Sequence, residues 1–569
     1  MNHHAVAEVL GLAMRGDARA ALARADSAAA SESALDPVAL GAARAMAHFS
    51  GADFEAAART AVLALAASSA PDTPPLSRLL AVASRLVASS GSLWAGADAI
   101  TDEALAAELS ETAPHVLAAA PPEIRWHAAS LVIEGFFTNG RFHETERMLD
   151  ELFPSFAWRS EPPAVIASEA GLSSFPFAPV RVLFYLGRIA DAETLLLKAR
   201  ELDVVRDDPM WSRLSDGLIA VCAGAKGEAA RARQAAARVA RSFPRPRAYL
   251  ESAARVFAGY GLLAIGEIEA AAREIRAGAG PKLRRLMIVD RALAIEALMQ
   301  EAIARDDSRE IGRLGRAMLE LEAHPAVPNI ALRVYAMVDL HNAAPGAAVE
   351  KSEASIARAH AAGSLRDLAE SELIHSRALI EAGNRGAAVQ ELQRLAHSAG
   401  ERGDVAERRT AARTLRTIGK RVVPSRGSGW AELSEREAEV ARLAAQGLDD
   451  RTIGEALFLS PRSVGGILSR VMWAFGVEHR SALAAATRAP SDGAAAETMG
   501  GGEGSASSIT RRQRQIIELI ALGRTNRDIA VELGISPRTV ERHVSMALET
   551  SGARSRTELA YRFLAASKA

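Results

Sequence analysis

Two stretches of this chain align on each other without a gap, at a fixed offset of 76 residues, for about 50 positions. LSEREAEVARLAAQGLDDRTIGEALFLSPRSVGGILSRVMWAFGVEHRSAL begins at Leu433, and ITRRQRQIIELIALGRTNRDIAVELGISPRTVERHVSMALETSGARSRTEL begins at Ile509. The segment is a duplicated domain. The two copies are therefore expected to share one fold, so a difference between them speaks of use rather than architecture.

Each copy is punctuated as four helices. Ser434 with Glu437, and Thr510 with Gln513, form the S/T-x-x-E/Q capping box that opens a helix. Gly447 and Gly523 stand where that helix must end in a left-handed residue. A short second helix follows through Ile453 or Ile529. Ser460 and Ser536 are N-caps with Pro461 and Pro537 at the first helical position, which predicts a sharply started third helix. A fourth begins after Arg480 or Arg556. Helix, short turn and sharply capped helix make the helix-turn-helix arrangement.

The rest of the chain, before Val422, reads as a long series of amphipathic helices. Apolar helix ends run into Gly, then a short polar step, then an Ala-rich helix, around Gly51, Gly140, Gly187, Gly266 and Gly383. Gly187, Gly227 and Gly266 lie 40 and 39 residues apart, and Gly266 to Gly383 is 117, three intervals of 39. Such a period marks stacked helical hairpins, each burying its face on its neighbour and leaving a concave surface of exposed helices. The layout resembles tetratricopeptide repeats, with a longer period and no complete consensus copy. Aromatics at 5% and abundant alanine support an all-α chain: an N-terminal α-solenoid and two four-helix domains. The boundaries are 1–421 for the solenoid, which would sense a ligand, peptide or protein, and 431–488 and 509–569 for the two copies. VVPSRGSGW (422–430) and the Gly-rich 489–508 read as linkers, the second flexible.

The two copies are similar to the LuxR-type helix-turn-helix domain. The second carries TNRDIA, ISPRTVERHV and SRTEL nearly intact, with departures at Ile509, Gln513, Thr550 and Ser551. The first keeps LSEREAEV and SPRSV but departs at Gly454, Gly465, Gly466 and Ile467. The resemblance implies that the third helix enters the major groove of double-stranded DNA. Glu541, Arg542 and Ser545 would then face base edges, where Arg pairs with guanine and Glu accepts from cytosine. Asn526, Arg527, Arg538 and Thr539 would hold phosphates. His543 suits a structural role as well as a DNA contact. In the first copy Arg451, Arg462 and Ser463 match phosphate-holding positions, while Gly465 and Gly466 have nothing to read with. Gly466 and Trp473 share a helix face, which suits either an interface with protein or a decayed copy in which Trp473 packs in its own domain. In the family the fourth helix commonly mediates dimerisation, so the copies are expected to pair within one chain, or between chains as a homodimer.

Charge agrees with the asymmetry. From Ile509 to Ala569 there are 11 Lys plus Arg against 6 Asp plus Glu, a net of +5; from Leu433 to Arg488 the count is 7 against 7. The second copy is built to meet polyanions. No G-x-x-x-x-G-K-[ST] occurs, so the nucleotide-binding module of the large ATP-dependent LuxR-type regulators, whose repeat-plus-reader order this chain resembles, is missing. No receiver or autoinducer pattern is evident. The lone Cys222 reads as a buried apolar residue, Asp306 and Asp307 as a solvated face, and no metal, cofactor or catalytic spacing is expected. No apolar run approaches a bilayer span and MNHHAVAEVL lacks a signal pattern, so a cytoplasmic chain is expected. The reading is a transcription regulator that also meets RNA polymerase or another protein. The rival is a scaffold whose helix-turn-helix pair binds protein.

Overall fold

The computed structural model describes residues 3–31, 35–91, 99–152, 178–420, 429–487 and 509–566. It divides into two compact units, residues 1–420 and 421–569, and among the described residues no strand occurs.

The first unit is a succession of antiparallel helices from His3–Met14 to Val405–Thr417, each packed on its sequence neighbours. Their starts are local chemistry: Asp36, Asp53, Asp208, Asp307, Ser364 and Asp404 each accept a backbone N–H of the first turn. Small residues set the spacing. Where Pro209–Ala225 crosses Tyr249–Ala264, a Cβ on Gly261 would fall on the Ala220 carbonyl, so the helices touch backbone to backbone. Arg333, fully buried, is held bidentate by Glu296 at 2.5 and 2.9 Å and lies 3.1 Å from Asp367. Cys222 is buried as expected, which pushes its thiol up to about 12.

The turns between hairpins show what the glycine spacing left out. Gly140, Gly187, Gly227, Gly266 and Gly383 all have positive φ, but at the Gly51 turn the left-handed residue is Ala52. The 117-residue gap after Gly266 is divided by Asp306 and Ala343, both left-handed, into steps of 40, 37 and 40. The repeat is continuous there, and two non-glycine residues accept roughly 1–2 kcal/mol of strain to continue it. Asp306 is thus a turn residue, and Asp307 caps the helix after it.

Late helices return onto early ones: Ile288 N–H donates to the Ser90 carbonyl at 2.5 Å, Pro209–Ala225 meets Val405–Thr417, and Ala178–Tyr185 meets Leu365–Glu381. The inner face surrounds a partly open cavity of about 230 Å³. No helix of the described residues is long and apolar enough to cross a membrane.

In the second unit the first copy comprises α1 (Glu435–Ala445), α2 (Asp450–Leu457), α3 (Pro461–Ala474) and, after a 3-10 turn at Arg480–Ala482, the short α4 (Leu483–Ala486). The second comprises α5 (Arg511–Ala521), α6 (Asn526–Leu533), α7 (Pro537–Ser551) and α8 (Arg556–Ala566). Both capping boxes form, and both Gly447 and Gly523 are left-handed. The 489–508 linker and residues 422–428 lie outside the described residues. Trp430, read as linker, belongs to the first copy: its ring meets Phe475 edge-on at 5.1 Å and its Nε1 donates to the Thr487 carbonyl.

Candidate nucleic-acid interface

The duplication is exact at the bonds that position the third helix. Arg480 donates to Asp450 Oδ1 (2.5 Å) and to the Leu448 carbonyl; Arg556 donates to Asn526 Oδ1 (2.5 Å) and to the Arg524 carbonyl. Each arginine ties the start of the fourth element to the turn before the second helix. Likewise Arg436 donates to the Leu457 carbonyl and Arg512 to the Leu533 carbonyl, fastening the first helix to the end of the second. The sequence marks Arg480 and Arg556 only as the start of the fourth helix; their tethering role, and Arg436 and Arg512, show in it only as residues repeated at the 76-residue offset.

On that shared frame the second copy presents a charged row. Arg538, Glu541, Arg542 and Ser545 are exposed along α7, with Thr539 and His543 half-buried. Ser536 caps α7 by accepting Thr539 N–H at 3.1 Å, and their hydroxyls share a 2.8 Å hydrogen bond. Arg527 is exposed at the start of α6, and no ion pair engages Arg527, Arg538 or Arg542 among the described residues. Asn526, expected to hold phosphate, has its Oδ1 occupied by Arg556, so its side chain is first a tether.

The first copy carries the same helix without the row. α3 runs unbroken through Gly465 and Gly466. What offsets the two glycines is visible: Ser469 Oγ donates to the Gly465 carbonyl and Arg470 Nη1 to the Gly466 carbonyl, both at 3.1 Å. Arg470 Nε also donates to Glu437 at 2.9 Å. Burial raises the Glu437 carboxyl, but the bonds from Ser434 and Arg470 outweigh it and hold it below the ordinary range. A Cβ at Gly466 would meet nothing within 4 Å, and at Gly465 only Asp450 Oδ2 at 3.5 Å. The glycine face is therefore open and does not pack on the second copy. Trp473, at its end, is 49% exposed.

Three further features separate the copies. The second helix begins Asp449-Asp450 in the first copy and Thr525-Asn526 in the second, so two carboxylates stand where a phosphate would approach. Arg451 pairs with Glu455 at 3.1 Å while staying exposed, and Arg462 and Ser463 are exposed beside it on the first copy's surface. The turn into α3 differs too: Phe458, left-handed (φ 55°) and 94% exposed, stands where the second copy has Gly534 (φ 63°). Gly454 fits this turn, since a Cβ there would lie 2.5 Å from the Leu459 carbonyl.

The copies pack on each other through their fourth elements. A Cβ on Gly447 would come within 2.6 Å of the Glu558 backbone N, and one on Gly523 within 2.8 Å of the Ala482 Cβ. Gly523 and Glu558 are the 76-residue counterparts of Gly447 and Ala482, so the contact is isologous, as in a twofold dimer. Ala484 is buried within the apolar cluster of the second copy, and Ser555 Oγ donates to the Gly447 carbonyl at 3.2 Å.

Residues 431–487 and 507–563 each match the family described as bacterial regulatory proteins, luxR family. Over 54 residues the chain is 44% identical to the transcriptional regulatory protein UhpA of Salmonella typhimurium and 43% identical to UhpA of Escherichia coli. Each match spans 10% of this chain and 28% of the relative. Over 50 residues the chain is 38% identical to the spore germination protein GerE of Bacillus subtilis, 9% of this chain and 68% of that relative.

Proposed function

Since this chain belongs to the LuxR family of bacterial regulatory proteins, we propose that it is a DNA-binding transcription regulator whose two helix-turn-helix copies have divided the labour of recognition. The second copy reads the operator. Arg542 and Glu541 present a donor fork and an acceptor to base edges, while Arg527, Arg538 and Thr539 hold the backbone. The first copy grips phosphates through Arg462 and Ser463 and reads nothing. The observation that carries this is the pair α7 and α3: the same helix on the same tethers, one with a charged row and one bare at Gly465 and Gly466.

The isologous contact supports a single chain acting as its own pseudo-dimer. Two third helices related by a near twofold suit half-sites about one helical turn apart, of which only one would be specified in sequence. The homodimer expected from the sequence would have to form elsewhere, because the fourth-element face is already occupied within the chain. The solenoid, with its partly open cavity, is the control region. It acts if a ligand favours one of two states that differ in access to α7. The cytoplasm is the compartment this reading requires.

Genome-wide capture tests the division. Wild type and the Gly465→Glu, Gly466→Arg double variant are expected to recover the same specific sites, and Arg542→Ala to lose them. Loss of all sites in the double variant alone would overturn the assignment.

A second reading rests on Phe458 and Trp473. These exposed apolar groups with the smooth glycine face suit a protein partner, RNA polymerase or another, on the first copy. Were protein binding the only role of both copies, DNA affinity would lack a steep salt dependence that Arg527→Ala and Arg538→Ala reduce.

A further inference from the structure

A partly open cavity in the first unit contains two charges without a close ionic partner, Arg366 and Glu370. Arg366 and Glu370 lie one turn apart on Leu365–Glu381, with Leu373 and Ile374 continuing the same face into the cavity. The Arg366 side chain is 22% exposed, and its nearest carboxylate oxygen, on Asp367, is 3.9 Å away and faces Arg333 at 3.1 Å. Its Nη1 is buried without a hydrogen-bond partner. The guanidinium is flanked by the Phe184 and Tyr185 rings, each centred 5.7 Å from it. Of the other arginines lining the cavity, Arg181 pairs with Glu134 and Arg402 with Glu407, while no ion pair engages Arg377 among the described residues.

Glu370 completes the asymmetry. Among the described residues no hydrogen bond or ion pair engages its carboxylate, and none joins it to Arg366. Burial pushes it above the ordinary carboxylate range against the pull of Arg366, as expected of a negative charge short of a cation. Unpaired charges in a buried site cost several kcal/mol unless something compensates them. Leu218, Phe257 and Leu293 add apolar surface to the same lining. At about 230 Å³ the cavity is below the roughly 300–1,000 Å³ of sites for drug-sized ligands.

We propose that this cavity binds a free L-amino acid with an apolar side chain, its carboxylate on Arg366, its ammonium on Glu370 and its side chain against the Leu218–Phe257–Leu293 wall. A carboxylate fits the fork of a guanidinium bidentate, and an ammonium one turn along the helix answers the glutamate. The two charges must arrive on one small molecule, because either alone would leave its counterpart unpaired. The binding rests on the cavity itself; that it regulates rests on the reading of the solenoid as a control region.

The test uses the full chain, thermal unfolding and calorimetry. The twenty L-amino acids are screened first. For each that raises the Tm, the corresponding amine without the carboxylate and acid without the ammonium are then titrated, such as isopentylamine and 4-methylpentanoate for leucine. At least one apolar amino acid is expected to bind, with both half-molecules weaker by at least tenfold. Arg366→Gln and Glu370→Gln are each expected to keep a cooperative unfolding transition and to weaken binding at least tenfold. Arg366→Lys serves in place of Arg366→Gln should that variant not fold. Absence of stabilisation by all twenty, or undiminished binding in Glu370→Gln, overturns the proposal. Operator affinity is measured with and without the amino acid. Binding without any change in operator affinity leaves the site standing and overturns the control reading alone.

Discussion

α7 and α3 are built on the same scaffold and face outward with different chemistry. What the fold requires has been kept in both copies: the serine cap and proline start, the buried Val464 or Val540, the Arg480 or Arg556 tether and the Arg436 or Arg512 fastening. The exposed charged row proposed to read DNA stands only in the second. The comparison teaches that the helix-turn-helix frame and its recognition surface are separable. The first copy ties its polar groups to itself, Ser469 and Arg470 to its own helix carbonyls and Arg451 to Glu455, where the second leaves Arg527, Arg538 and Arg542 without ion pairs among the described residues.

The largest effect should come from breaking the joint that makes the comparison possible. Ala484→Glu places a charge in the apolar cluster of the second copy from the first copy's fourth element, leaving the exposed rows of both third helices unaltered in sequence. An unpaired buried charge costs at least about 3 kcal/mol, enough to separate the copies and lower operator affinity roughly 100-fold by loss of avidity. Anisotropy titration on the operator, beside hydrogen exchange at Gly447 and Gly523, reads both effects. Undiminished affinity with the joint opened would show that the second copy binds alone.

Next comes the reading row. Arg542→Ala should cost about 1–3 kcal/mol on the specific operator and leave non-specific binding nearly unchanged, relaxing preference at one position of one half-site. Competition against a library permuted in both half-sites measures it. Equal sequence preference in the two half-sites would break the division of labour.

Phosphate contacts should differ less. Arg538→Ala should weaken binding to all sequences and lower the salt slope by about 1, while Arg451→Ala should lower it by less, because Asp449, Asp450 and Glu455 surround that guanidinium with negative charge. Titrations between low and moderate salt compare the two. A similar loss in both would mean that the first copy holds DNA as firmly as the second.

Much of the second unit was legible because its signals are local. Capping boxes, Ser-Pro helix starts and left-handed glycines depend on neighbours three or four residues away, and each is where the sequence puts it. The bare reading face was legible for the same reason. The repeat was half legible: glycine marks a left-handed turn, but Ala52, Asp306 and Ala343 make the same turn at a cost in strain, so counting glycines misses them. Least legible were the long-range facts. Periodicity says that hairpins stack, but the superhelical return of Val405–Thr417 onto Pro209–Ala225 depends on small rotations accumulated over several repeats. The isologous joint was legible only as an alternative, since pairing within and between chains makes the same demand on Gly447 and Ala482.

The smallest effect bears on whether the first copy's glycines are decay or design. The helix at Gly466 is regular, and a Cβ there would enter open space, so Gly466→Ala carries no steric cost. Alanine in place of glycine inside a helix should stabilise the first copy by about 0.8–1 kcal/mol, chiefly by restricting the unfolded chain. Denaturant unfolding of the full chain, followed by the fluorescence of Trp430 and Trp473, would register a modest upward shift in midpoint. If the face is merely bare, operator binding and transcription should be unchanged. A stabilised protein that binds its operator normally yet no longer regulates would show that the smooth backbone itself meets a partner. The missing side chains would then be a fitted surface that a single methyl spoils.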